Sequence, residues 1–279
     1  MRLLKSFLAL GAVACAVPAA AQEAPAESVF DGDHITVGVG GVYNPSYRGS
    51  DDYVFSPIPL VRGKVAGVDI NPRISGVALD FVPDNRDSRI GLSLGPVASV
   101  TFNRNRQIKD DVVKAAGKLD TAIELGVSGG ITGYKLLNDY DSLSFSVDVK
   151  WDVNGAYKGM VWVPNISYAT PLSPAALVML NVGARHVDDD YAGYYYSVTP
   201  GQSAASGLPV YGAKGGWDSA NATLMVAYDL SGDLRDGGFA AFGGLNYTRM
   251  LNDGEDSPFT AIRGDADQWS VGAGIAYTF

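Results

Sequence analysis

Cysteine, histidine and long apolar runs are what this sequence has least of. One cysteine, Cys15, and two histidines, His34 and His186, occur in 279 residues. Cys15 lies in a stretch read below as an export signal, so the exported chain carries no disulfide and its fold must be held by other means. Scarce histidine argues against hydrolytic or acyl-transfer chemistry, which usually sets a His base beside a Ser or Asp. His34 opens the first expected strand and His186 closes the ninth, which puts them at opposite ends, unable to form one dyad. HExxH, CxxC and Walker-type signatures are absent. Beyond the N-terminus there is no apolar run of about 18 residues, which excludes a transmembrane helix. Helix-type periodicity is scarce throughout.

What is present starts with MRLLK, an apolar run SFLALGAVACAV, Pro18 and Ala19-Ala20-Ala21. A basic start, a short apolar core and a small-residue site make a secretory signal peptide over 1–21, cleaved before Gln22. Lipidation of Cys15 is the rival reading, disfavoured by Ala12 at the third position before it. Without Arg2 and Lys5, 19 basic residues face 30 acidic ones, a net charge of −11. Nucleic acid is a poor partner for such a chain. Hydrophobic residues at 47%, with Gly at 34 and Tyr at 15, exclude disorder and leave a periplasmic β domain or an outer-membrane barrel. Residues 22–33 read as a flexible leader, and 34–279 as one domain.

Within that domain the pattern alternates with period two. In LSFSVDVKWD (143–152), Leu143, Phe145, Val147, Val149 and Trp151 share one face, opposed by Ser144, Ser146, Asp148, Lys150 and Asp152. QWSVGAGIAYTF (268–279) sets Trp269, Val271, Ala273, Ile275, Tyr277 and Phe279 against small residues. Stretches at 35–43, 53–61, 65–69, 75–82, 89–102, 122–134, 160–169, 176–186, 219–230 and 239–250 behave alike, about twelve strands in all. Pro57 and Pro59 weaken the second. The less apolar face is rich in Gly, Ser, Thr and Asn with a few charges, which suits a lumen, and the large apolar face suits acyl chains. Rings at strand ends (Tyr43, Tyr134, Trp151, Trp162, Tyr168, Tyr228, Tyr247, Trp269, Phe279) fit the two interface girdles.

Connections give an independent test. The odd ones, 44–52, 70–74, 103–121, 153–159, 187–218 and 251–267, are mostly long, whereas the even ones, 62–64, 83–88, 135–142, 170–175 and 231–238, are all short. Long loops outside and short turns in the periplasm are the asymmetry of outer-membrane barrels. The sequence therefore predicts an all-β, antiparallel transmembrane barrel whose last strand closes on its first. Closure follows because hydrocarbon tolerates no unpaired backbone edge.

The stretches GVGGVYNPSYRGSDDYVFSPIPLVRGK (38–64), GLSLGPV (91–97), GGITGYK (129–135) and GAGIAYTF (272–279) resemble the MipA/OmpV family of outer-membrane proteins, also called MltA-interacting proteins. The first stretch is the most specific, and the likeness covers essentially the whole mature chain. It implies an outer-membrane location and a scaffold between a murein hydrolase and a murein synthase; other members are linked to osmotic response or adhesion. It brings no catalytic residue, cofactor or metal. Pro45, Tyr47, Gly49 and Pro59 match the family's N-terminal motif and are expected to shape the first outer loop and second strand. Phe279, with Tyr277 and Trp269, forms the terminal signal expected to be read by the barrel-assembly machinery.

Other clusters admit chemistry of their own. His186 with Asp188, Asp189 and Asp190 could be a general base or a divalent-cation site bridging lipopolysaccharide, but reads better as a solvated acidic loop. Asp51-Asp52 and Asp253, Glu255, Asp256 read the same way. YAGYYYSV (191–198) is expected to continue strand nine above the membrane, with an adhesive surface as the alternative. Glu124, Asp148, Lys150, Asp152 and Arg185 are expected to pair across the lumen and plug it. The expected partners are outer-membrane lipid, lipopolysaccharide, the assembly machinery and murein enzymes. A small solute channel is the alternative function, and a lipid-modifying enzyme is disfavoured.

Overall fold

The structure, a computed structural model, describes residues 28–83 and 88–279. The expected signal peptide, the leader up to residue 27 and residues 84–87 of one turn lie outside them. Twelve antiparallel strands close into one barrel in which each pairs with its sequence neighbours and β1 pairs with β12. They are β1 His34–Pro45, β2 Tyr53–Val65, β3 Val68–Arg73, β4 Gly76–Asp80, β5 Ile90–Thr101 and β6 Ala122–Tyr134, followed by β7 Ser142–Asp152, β8 Met160–Ser173, β9 Ala176–Val187, β10 Gly216–Asp229, β11 Gly238–Met250 and β12 Asp267–Thr278. No described helix is long and apolar enough to cross a membrane.

Alternation sorts the side chains as the sequence predicts. Leu143, Phe145, Trp151, Ile275 and Val271 are exposed on the outside, where the solvent of a barrel in lipid is acyl chain. Inside, Thr36 and Thr278 exchange a hydroxyl hydrogen bond of 2.8 Å across the closing ladder. The Phe279 N–H donates to the Ile35 carbonyl at 2.9 Å and extends that ladder by one residue. The Phe279 and Tyr277 rings are 4.7 Å apart, and Tyr277 meets Phe239 at 4.8 Å, at the short-turn end. Trp269 packs 4.9 Å from Tyr247 at the other end.

Two expected connections are shorter than the sequence suggested. The segment 70–74 is not an outer loop: β3 runs to Arg73 and the turn is only Ile74-Ser75. Likewise β2 runs to Val65, and Ala66 and Gly67 make the turn with φ of 53° and 81°. Positive φ at both central residues is the hairpin geometry that matches strand twist. Ser28–Asp31 of the leader forms a capped 3-10 turn, tied by the Val29 N–H to the Arg235 carbonyl at 2.8 Å. The long outer loops carry five short helices: α1 Asp111–Ala115, α2 Asp189–Tyr196, α3 Pro200–Ser206, α4 Asp253–Asp256 and α5 Pro258–Ala261. The tyrosine tract was expected to extend strand nine; it is α2 instead. Asp188 N-caps it by accepting from the Tyr191 N–H at 2.9 Å, and two more carboxylates fill its first turn.

Candidate functional site

The outer mouth of the barrel is filled by its own loops. Helical spacing puts Tyr191, Tyr195 and Tyr196 of α2 against the interior, each no more than 2% exposed. They pack with Tyr157 of the 153–159 loop and with Val161, Val187 and Met250 from strands. Tyr157 meets the Tyr191 ring edge-on at 4.9 Å. Asp188 also accepts from the Met160 N–H at 2.6 Å, which pins the helix to the start of β8.

Beneath these rings lie two buried ion clusters. Glu124 accepts from Lys150 Nζ at 2.6 Å, Ser99 Oγ at 2.8 Å, Thr101 Oγ1 at 3.0 Å and the Tyr157 hydroxyl at 3.2 Å. Asp218 takes both forks of Arg185, with Nε at 2.9 Å, together with the Tyr196 hydroxyl at 2.6 Å. Arg185 donates its remaining nitrogen to the Tyr191 hydroxyl at 2.7 Å. A third pair, Arg73 to Asp148 at 2.7 Å, reaches from β3 to β7. The expectation of paired lumen charges holds for Glu124, Asp148, Lys150 and Arg185. It fails for Asp152, which stands at the end of β7 and accepts from the backbone N–H groups of Asn154, Tyr157 and Lys158. Arg73, Asp218 and Tyr157 had no place in the sequence reading, and Tyr191, Tyr195 and Tyr196 were expected on an extension of strand nine.

A second layer caps the first. Tyr47, Ile108, Val113, Ala116, Val198, Leu208 and Phe259 form one buried cluster drawn from four outer loops. The Tyr47 hydroxyl donates to the Phe259 and Arg263 carbonyls at 3.1 and 3.2 Å, and burial raises its pKa. Gly49 has φ of 92°, and a Cβ there would lie 2.1 Å from Thr260 Oγ1. Pro45 closes β1, and Pro59 sits within β2. Arg104 lies 3.6 Å above the Phe259 ring and donates to the Tyr195 carbonyl at 3.1 Å. Burial lowers it to about 10, which leaves it charged at neutral pH. Asp110 N-caps α1 and binds Arg263 at 2.6 Å. Burial alone would raise the Asp110 carboxyl, but Arg263 and backbone donors hold it below its usual value.

Several members of the acidic loop clusters are spent on structure. Asp189 accepts from the Gly215 N–H at 2.7 Å, and Glu255 pairs with Arg249. Among the described residues no group of three or more His, Cys, Asp and Glu could hold a metal. His186 lies on the outside of β9 with Trp162 and Trp217, ring centres 5.1 and 5.4 Å away, while His34 sits at the other end with Nδ1 3.0 Å from the Gly32 carbonyl.

At the periplasmic end the β6–β7 turn is rigid and greasy at once. Asp141 accepts from the Leu136 and Leu137 N–H groups at 2.7 and 2.9 Å and from the Tyr168 hydroxyl at 2.9 Å. Asn138 binds the Tyr140 N–H at 2.9 Å and Thr170 Oγ1 at 3.0 Å. So braced, the turn presents Leu137 and Tyr140 at 82% and 75% exposure.

Residues 37–279 match the model of the family described as MltA-interacting protein MipA. The chain belongs to that family. No curated protein matches it. Among solved structures it is similar to the COG4313 outer membrane channel from Pseudomonas putida F1, at 17% identity over 95% of this chain and 100% of that one, TM-score 0.45. It is also similar to OmpT of Vibrio cholerae (8% identity, 89% and 97% covered, TM-score 0.36). OprD from Pseudomonas aeruginosa is a third (10% identity, 91% and 95% covered, TM-score 0.32). This MipA-family barrel is an outer-membrane protein: the family and the closed apolar-outside sheet agree.

Proposed function

We propose that this barrel is a non-catalytic envelope scaffold, delivered by the 1–21 signal, that holds a periplasmic murein enzyme of the kind its family name records. The observation that carries the reading is the braced β6–β7 turn, which offers Leu137 and Tyr140 to the periplasm on a backbone fixed by Asp141 and Asn138. Exposed apolar side chains on a preorganised turn are what a protein partner can bury at low ordering cost. The packed outer mouth supports the same reading, since it leaves the short-turn end as the accessible face.

The test is co-purification from crosslinked envelopes in mild detergent. Leu137→Glu with Tyr140→Glu is expected to reduce capture of murein hydrolase at least tenfold, with heat-modifiable gel migration unchanged. Capture that survives both changes would reject the turn as the docking element.

A solute channel is the second reading. One observation favours it: below the plug the wall carries Asn165, Asn181, Asn221 and Asn246 on neighbouring strands, with Thr223 bonded to Asn246 at 2.8 Å. A polar lining of that kind suits hydrated solutes if α2 moves aside.

A further inference from the structure

The barrel wall is unzipped along one seam. β2 pairs with β1 over its whole length, from Tyr53 to Lys64, but with β3 only at Gly63, Lys64 and Val65. In an antiparallel ladder alternate residues turn their N–H and C=O to opposite neighbours. The Ser46 N–H reaches the Asp52 carbonyl at 2.8 Å in the β1–β2 register, so even positions of β2 serve β1. The odd ones, Tyr53, Phe55, Pro57, Pro59 and Val61, then face the seam, where no strand pairs. Two of the five have no N–H to satisfy, which is how an edge survives where water is absent. The other lip matches: Ile70 is the last β3 residue paired with β2, and the next position facing it is Pro72. The hairpin tip then leans away, with the Val100 N–H donating to the Ser75 carbonyl at 2.9 Å.

The chemistry around the seam is amphipathic. A cavity of about 470 Å³ wraps the free edge of β2 at its outer end, lined by Tyr43, Tyr53, Val54, Phe55 and Ile108 with Lys109 and Lys114 above them. Phe55 and Ile74, at the hairpin tip, are 65% and 87% exposed. On the lumen face of the same strand Ile58 and Leu60 lead to Arg62, which the Asp69 carboxylate attracts at a distance but whose guanidinium makes no hydrogen bond among the described residues, Asp69 being bonded to Lys64.

We propose that this proline-lined seam is a lateral port that admits a single-tailed amphipathic anion of the fatty-acid class from the outer leaflet into the lumen. Lys109 receives the head at the rim, Lys114 being paired with Asp111 at 2.9 Å, the apolar lips pass the tail, and Arg62 takes the carboxylate inside. A second copy adding a strand is the poorer occupant, because three prolines remove the donors such a ladder needs. The inference is independent of the scaffold reading and uses a different part of the wall, the β2–β3 seam and not the β6–β7 turn.

The test uses the full protein in phosphatidylcholine liposomes. A bimane label at Leu60→Cys is expected to be quenched saturably by 16-doxyl-stearate, competed by oleate, and at least fivefold less by the uncharged methyl ester. A lipid-facing Val61→Cys label reports free lipid access by both probes. Arg62→Gln is expected to weaken quenching at position 60 several-fold. Pro72→Thr, which supplies an N–H opposite Val61 at the one further position β3 reaches, should extend the β2–β3 ladder and lower the quenching, with heat-modifiable migration retained. If that variant does not fold, Arg62→Gln and the acid-versus-ester difference decide. A label at 60 silent to both probes, or equal response to acid and ester, would overturn the port. So would disulfide dimers through Pro59→Cys in native membranes.

Discussion

Glu124 and Asp218 are carboxylates held almost out of reach of water, 2% and 3% exposed, each satisfied by a cation and by hydroxyls. Breaking one partner leaves a charge stranded, which costs about 3–5 kcal/mol, whereas removing both is nearly neutral. Lys150→Met is therefore expected to lower the urea midpoint of refolded protein strongly, and Lys150→Met with Glu124→Gln to recover most of it. Gly49→Ala is expected to cost about 1–2 kcal/mol from its left-handed backbone alone. The contact with Thr260 adds to that, read as faster amide exchange confined to the outer cap. The lumen charges were legible because alternation assigns every strand residue a face. Two of their partners were not, Arg73 and Asp218: Arg73 meets Asp148 across 75 residues with three strands between them, a pairing set by barrel curvature. Asp152 misled because alternation states a side but not where a strand stops.

At the scale of elements, one ion pair fixes the start of α1, while Val113 packs the helix body into the outer cap. Its N-cap, Asp110, is bound by Arg263 from the loop between β11 and β12, and its folded-state pKa is depressed. A depressed carboxylate stabilises above its unfolded pKa of about 4 and loses that contribution as pH falls through the lower folded value. Acidification from about pH 5 through that lower value is thus expected to loosen the 103–121 loop first. Limited pepsin cleavage should detect it in acid, and Asp110→Asn should show the loosening already at neutral pH as faster amide exchange of that loop. Twelve strands were expected and twelve close the barrel, because an outer-membrane wall is apolar on one side and small or polar on the other; only the third was misplaced, expected at 65–69 and found at Val68–Arg73. The tyrosine tract at 191–198 was misread because β-prone rings outweighed a capping signal that was in plain sight: Asp188 ahead of Asp189 and Asp190.

For the whole molecule, the packed mouth predicts conduction. Purified protein in planar bilayers is expected to show little current. Replacing residues 189–214 with a short Gly-Ser linker should raise it at least tenfold, and an unchanged trace would place the constriction elsewhere. Deleting Phe279 removes the bond to Ile35 and the ring beside Tyr277. It is expected to lower the folded yield in envelopes more than the stability of whatever folds, measured by heat-modifiable migration. The hydroxyls of Thr36 and Thr278 meet across 242 residues. A free loop of that length would cost about 5 kcal/mol to close, yet each hairpin zipped beforehand shortens the effective tether, so the final latch joins two rims already side by side. Until it shuts, the nascent ribbon has two raw margins able to capture any neighbouring strand. Slow zippering of a middle hairpin should therefore be more dangerous to the cell than a weak latch.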